Sequence, residues 1–125
     1  MTKFRIAILT AASILSLSCM NAVAHADNFG AIAYSPESGS VGWSYDAGSR
    51  RDAERMAMNN CENYADDCRV AIYFYNACGA VARAPDGSWG SGWGSSRRRA
   101  ESEALDSCSN HGDGCRVIRW ACTSR

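Results

Sequence analysis

The chain has 125 residues, with 13 basic side chains, 13 acidic ones and seven cysteines. Lys3, Arg5 and Cys19 sit in a leader-like N-terminus, and cleavage after Ala26 would leave 99 residues with 11 Arg, no Lys and 13 acids, a net charge of −2. That balance gives no electrostatic footprint for nucleic acid, and six cysteines in an exported chain this short read as a disulfide framework around one small domain.

The leader comes first in chain order. Residues 1–5 carry two cations, residues 6–20 are an apolar run, and Ala24-His25-Ala26 has the small-x-small pattern that a signal peptidase cuts. Residues 1–26 are therefore expected to be a signal peptide and residues 27–125 the mature domain. The apolar run is shorter than the about 20 residues of a membrane helix, so no stable span is expected after cleavage. Lipidation at Cys19 stays open, with Ser16 standing where a lipobox would place Leu.

The mature chain uses one pattern twice. Gly30-Ala31-Ile32-Ala33-Tyr34-Ser35-Pro36 lies over Gly79-Ala80-Val81-Ala82-Arg83-Ala84-Pro85, and Gly42-Trp43 over Gly92-Trp93. Ser49-Arg50-Arg51-Asp52-Ala53-Glu54 matches Ser96-Arg97-Arg98-Arg99-Ala100-Glu101, and Cys68-Arg69-Val70 matches Cys115-Arg116-Val117. The order is preserved throughout, which points to an internal duplication with units at about 29–78 and 79–125. Each unit reads strand, strand, helix, strand. In the first, residues 30–34 form a short β run and Pro36-Glu37-Ser38-Gly39 a turn. Residues 41–45 alternate bulky and small side chains as a strand does. Ser49 then caps a helix with Asp52 in partial capping-box position. Ala53, Met56, Ala57, Asn60, Cys61 and Tyr64 form one helical stripe, which buries Cys61. Residues 68–76 are apolar or aromatic on both faces, as in a central strand. The second unit repeats this with Trp89, Ser91 and Trp93 on one strand face. Its helix has a thinner stripe of Ala100, Glu103, Ala104, Ser107 and Cys108, beside Leu105, so it should lean more on its disulfide. The expected fold is α+β: one antiparallel or mixed sheet with two helices packed on it.

Geometry narrows the cysteine pairing. Cys68 and Cys78 bound one predicted strand and lie roughly 30 Å apart at about 3.3 Å per residue, beyond the reach of a disulfide. Cys115 and Cys122 fail in the same way. The short gaps from Cys61 to Cys68 and from Cys108 to Cys115 can fold back, stapling each helix end to the following strand. Cys78 and Cys122 remain. They hold equivalent places in the two units, so their bond is expected to lie on the pseudo-two-fold and tie unit to unit. The spacing does not suit zinc, whose sites favour closer pairs, and no metal, cofactor or reactive thiol is expected.

Candidate functional residues are few. His111 is the lone histidine of the mature chain, beside Gly112 and Gly114, and reads as a helix-end residue whose charge suits the dipole. Asp66-Asp67 and Asp113 lack the rhythm of a calcium loop, and no two acids are singled out for glycoside hydrolysis. Arg97, Arg98 and Arg99, echoed by Arg50 and Arg51, put cations in a first helical turn against the macrodipole. They either cover apolar surface with their stems or form a patch for an acidic partner. Trp43, Trp89 and Trp93, with their glycines, either fill the core or form an exposed aromatic platform.

Taken together, Gly30-Ala31-Ile32-Ala33-Tyr34-Ser35-Pro36, Gly42-Trp43-Ser44, Cys68-Arg69-Val70, Cys78-Gly79-Ala80-Val81-Ala82, Gly92-Trp93-Gly94 and Trp120-Ala121-Cys122 resemble the family called domain of unknown function 4189. The resemblance covers essentially the whole mature chain. It implies a small exported bacterial protein of the same fold, and it carries over no enzyme activity and no catalytic residue. The reading that follows is a non-enzymatic, disulfide-bonded binding module of the periplasm or the extracellular space. Its expected partner is a protein, in an immunity- or inhibitor-like role. The alternatives are a secreted factor acting on host or competitor cells and a cell-wall glycan binder.

Overall fold

The computed structural model describes residues 28–124; the expected signal peptide, Cys19 and the proposed cleavage site lie outside them. The elements run β1 (Phe29–Tyr34), β2 (Val41–Ala47), α1 (Arg50–Glu62), β3 (Arg69–Tyr75), β4 (Cys78–Arg83), β5 (Trp89–Gly94), α2 (Arg97–Ser109) and β6 (Arg116–Cys122). The class is α+β and the strand-strand-helix-strand unit occurs twice. The strands do not form one sheet. They form two antiparallel three-stranded sheets, ordered β2-β1-β3 and β5-β4-β6. The reason lies in β1 and β4. Each is already flanked on both edges by strands of its own unit, and the two sheets meet face to face across a shared core. It follows that β3 is an edge strand and β1 the central one. On β3, Ile72 and Phe74 pack against the opposite sheet, while Tyr73 and Tyr75 on the other face stay 40% and 53% exposed, so the aromatic run does not mark a central position.

Alternation along β1 and β4 assigns the layers. Ala31 and Ala33 join Ala53, Ala57 and Cys61 under α1. Ala80 and Ala82 join Ala100, Ala104 and Cys108 under α2. Ile32, Tyr34 and Val81 point the other way, into a core shared by both sheets with Phe74 and Ala121. The order is thus helix, sheet, sheet, helix.

Each helix rests on a narrow strip of small residues. In α1 only Ala53, Ala57 and Cys61 are buried; Met56 is 48% exposed and Tyr64 75%, so the stripe is narrower than its sequence suggests. The physical reason is close approach. A Cβ on Gly42 would lie 2.2 Å from the Ala57 carbonyl oxygen, and one on Gly90 would lie 2.2 Å from the Cys108 nitrogen. A backbone this near leaves no room for bulk between helix and sheet. The starts of both helices are fixed by serine caps: Ser49 accepts from the Asp52 amide and Ser96 from the Arg99 amide. The Asp52 carboxylate turns to Arg55 at 3.0 Å instead of closing the capping box.

All three disulfides join the expected cysteines: Cys61–Cys68, Cys108–Cys115 and Cys78–Cys122. The third has a different role from the one expected. Cys78 opens β4 and stands opposite Cys122 on β6, so the bond lies inside the second unit and links neighbouring strands. The same place in the first unit is held by Phe29 opposite Tyr75, whose ring centroids are 4.6 Å apart. An aromatic pair in one copy stands where the other has a covalent bond.

Two of the contacts that tie unit to unit join equivalent positions, as contacts on a two-fold axis do. Tyr34 and Arg83 match, and the Arg83 Nε donates to the Tyr34 hydroxyl at 2.7 Å. Gly30 and Gly79 match, and the ring of Phe74 lies against both: a Cβ on either would come within 2.4 Å of it. Ala121, the counterpart of Phe74, is small because one ring already fills the space between the two glycines. Phe74→Ala should therefore cost about 3–5 kcal/mol, measured by urea unfolding. Adding Ala121→Phe should recover part of that loss by filling the vacated space from the other side. A double variant less stable than Phe74→Ala alone would contradict the two-fold reading.

Candidate functional site

The cross-strand registers show which residues truly correspond. Gly42 lies opposite Ala33 and Gly90 lies opposite Ala82, so Gly42-Trp43 matches Gly90-Ser91, not Gly92-Trp93. On β3 and β6, Ile72 lies opposite Ile32 and Arg119 opposite Val81, so Ile72 matches Arg119. The two copies therefore differ where the sheets meet. On one side the Arg119 guanidinium stacks over the Trp43 ring, 3.8 Å from its centroid. On the other, Ser91 and Ile72 take those places. The Ser91 hydroxyl donates to the Ala71 carbonyl at 3.1 Å. A large stacked pair is replaced by a small polar and an aliphatic side chain.

The result is a groove of about 640 Å³ along β3, lined by the six residues from Val70 to Tyr75 with Arg50, Glu54, Ser91 and Trp93. Trp93 is 63% exposed, Tyr75 53% and Tyr73 40%. Arg50 lies over the Tyr73 ring at 3.8 Å and is paired with Glu54 at 2.6 Å. The second copy repeats this with Arg97 over Trp120 at 4.0 Å and paired with Glu101. Beyond Trp93 lies a second, more polar groove of about 790 Å³, where Arg99, Glu103, Asp106 and Asn110 of α2 face β5. Ile72, Ser91 and Trp93 border both.

The edge of β3 is the chemically unusual part. It pairs with β1 alone, and after Arg69 it reads Val-Ala-Ile-Tyr-Phe-Tyr with no charge. Its counterpart β6 is also an edge but carries Arg119 in mid-strand. Charged side chains on an edge strand discourage pairing with another chain; β6 has that protection and β3 does not.

The six candidate binding residues separate. Trp43 and Trp89 are half-buried against the shared core, and Trp89 packs on Tyr34 with centroids 5.2 Å apart. The three indoles make no common platform; Trp93 alone stands out. The stem of Arg99 covers Gly94 and its head borders the polar groove with Trp93. Arg97 is engaged by Trp120 and Glu101, and Arg98 is exposed beside it. Exposed His111 caps the helix through its backbone, donating to the Cys108 carbonyl and accepting from Ser88. Asp67 accepts from Ser35 and from the Glu37 amide, and the Ser35 hydroxyl bond holds its carboxyl below the usual range. Among the described residues, no three His, Cys, Asp or Glu side chains cluster to hold a metal ion. Ile72, Tyr73, Tyr75 and Ser91 were not singled out in the sequence. Their signal is the difference between copies at matched positions, which appears only in the structural register.

These features define a duplicated, disulfide-stapled α+β domain whose halves have diverged along the seam between the sheets. The chain belongs to the family described as domain of unknown function DUF4189, whose model matches residues 29–122. Among solved structures it is similar to the NMR structure of Rv1813c from Mycobacterium tuberculosis, at 26% identity over 98% of each chain, with a TM-score of 0.56. No curated protein matches it.

The two tryptophans of the seam should respond differently to truncation. Trp43→Ala removes a ring packed under Arg119 and should cost about 2 kcal/mol or more. Trp93→Ala should stay within about 0.5 kcal/mol of the parent. Urea unfolding of the oxidised protein measures both.

Proposed function

We propose that this protein is an exported, disulfide-bonded binding module, acting in the periplasm or outside the cell after cleavage at Ala26, that recognises a protein partner. Three disulfides in so small a domain suit a chain that folds in an oxidising compartment, and no described helix is long and apolar enough to cross a membrane. The observation that carries the reading is the uncharged, aromatic edge of β3 beside exposed Trp93. An extended segment of a partner would add to that edge through main-chain hydrogen bonds. Its alternate side chains would rest against Trp93, Tyr73 and Tyr75. Rigid aromatic rings supply contact area at low entropic cost, and such anchors dominate binding energy in protein interfaces. An immunity- or inhibitor-like role, or action on host or competitor cells, fits a scaffold this firmly cross-linked.

A second reading rests on the polar groove. Trp93 beside Glu103, Asp106 and Asn110 combines a ring face with hydrogen-bonding groups, the chemistry that holds a sugar. It makes the protein a cell-wall glycan binder.

Ile72→Arg imports the β6 residue into β3. In pull-downs from periplasmic and secreted fractions, a protein partner should be recovered at least tenfold less by Ile72→Arg and by Trp93→Ala. Arg98→Glu should leave recovery unchanged. Equal recovery by all three variants would overturn the protein-binding reading. Retention of soluble peptidoglycan fragments that is lost with Asp106→Ala, at a position lining the polar groove alone, would establish the glycan reading in its place.

A further inference from the structure

A second place where the copies differ lies at the far end of β4. Trp93 stands opposite Gly79 near the start of that strand; Arg83 is its last residue. Where the first unit has Tyr34 opposite Arg69, the second has Arg83 opposite Arg116. Two like charges directly across an antiparallel pair repel. Among the described residues neither arginine makes an ion pair. Among the described residues no carboxylate lies within ion-pair distance to offset the repulsion.

We propose that the pocket formed by these two arginines binds a small oxyanion, a phosphate or a carboxylate group. The pocket encloses about 450 Å³ and is lined by Arg83, Arg116, Ser38, Gly39, Gly114 and neighbouring residues of both units. Arg83 is held in place. Its Nε is committed to the hydroxyl of Tyr34, which is fully buried. Its two terminal amino groups have no hydrogen-bond partner among the described residues. A guanidinium fixed in this way presents a fork that matches the paired oxygens of a carboxylate or phosphate. Glycines leave it uncovered. Gly39 and Gly114 sit at φ of 78° and 73°, a conformation that suits glycine, and a Cβ on Gly39 would stand 3.4 Å from the Arg83 Cζ. Two acids on the surrounding loops have other partners: Asp67 accepts from Ser35 and the Glu37 amide, and Asp86 from the Ser88 amide; Glu37 and Asp113, which adjoin Ser38 and Gly114, are exposed and do not line the pocket.

The test uses the oxidised protein, with arginine Nε–H resonances followed by NMR at constant ionic strength. Sodium phosphate and sodium acetate are titrated separately, with sodium chloride as control. A saturable shift of the Arg83 Nε–H in the millimolar range or below is expected with phosphate or acetate and not with chloride. The tighter of the two identifies the ligand group. Arg116→Gln, at an exposed position, should weaken that binding tenfold or more while leaving the Tyr34–Arg83 bond intact; Arg98→Gln should not. Absence of saturation with both anions would overturn the proposal. So would an unchanged affinity in Arg116→Gln.

Discussion

A ring lying on the line that relates two halves can be present only once. Phe74 occupies that place, against Gly30 and Gly79 together. The halves can close on each other only if both glycines stay bare and the counterpart of Phe74 stays small, as Ala121 does. Much of the architecture depends on this contact. It lets the two sheets meet face to face, and it buries Ile32, Tyr34 and Val81 in one core. It leaves each helix to cover the outer face of its own sheet. A duplicated chain with a shared core is thus forced to become asymmetric at its centre, and the asymmetry spreads outward along β3 and β6.

Function is to be sought where the copies differ, because what they share is scaffold. Both units have the serine cap, the alanine strip, the glycine under the helix, the helix-end disulfide and the arginine stacked on an aromatic ring. They part company at Ile72 against Arg119, Ser91 against Trp43, Arg83 against Tyr34, and the Cys78–Cys122 bond against the Phe29–Tyr75 pair. The first two differences open the aromatic edge beside Trp93, and the third sets two arginines opposite each other with no ion pair among the described residues. The covalent link sits in the unit that carries the arginine pair, where strand β6 would otherwise be pushed from β4 by like charge at its far end.

Much of the scaffold was legible in the residues. Strand-strand-helix-strand order followed from turn chemistry, capping serines and periodicity, and the disulfide partners followed from the length of a strand. The rest needed three dimensions. Gly42-Trp43 and Gly92-Trp93 look alike, yet strand register pairs Gly42 with Gly90, because the glycine is required under the helix and the tryptophan is not. Cys78 reads as the end of the first unit, since Asn76 and Ala77 give little sign of a break. It opens the second, so the bond to Cys122 is local. The aromatic run of β3 is compatible with a central strand or with an edge packed on a second sheet, and periodicity does not distinguish them. Trp43, Trp89 and Trp93 are equivalent in sequence texture, and only packing shows that one of them faces solvent.

The claim that joins fold to function is that β3 is an open edge: its backbone ladder is formed with β1 and with no other strand, and one side-chain bond, from the Ser91 hydroxyl to the Ala71 carbonyl, reaches it from β5. Amide hydrogen exchange on the oxidised protein tests it directly. Amides of β1 and β4, paired on both sides, should be the slowest to exchange, while about every second amide of β3 should exchange as fast as those of the turns. Uniform strong protection along β3, matching that of β1, would mean that the edge is already covered and would contradict the account.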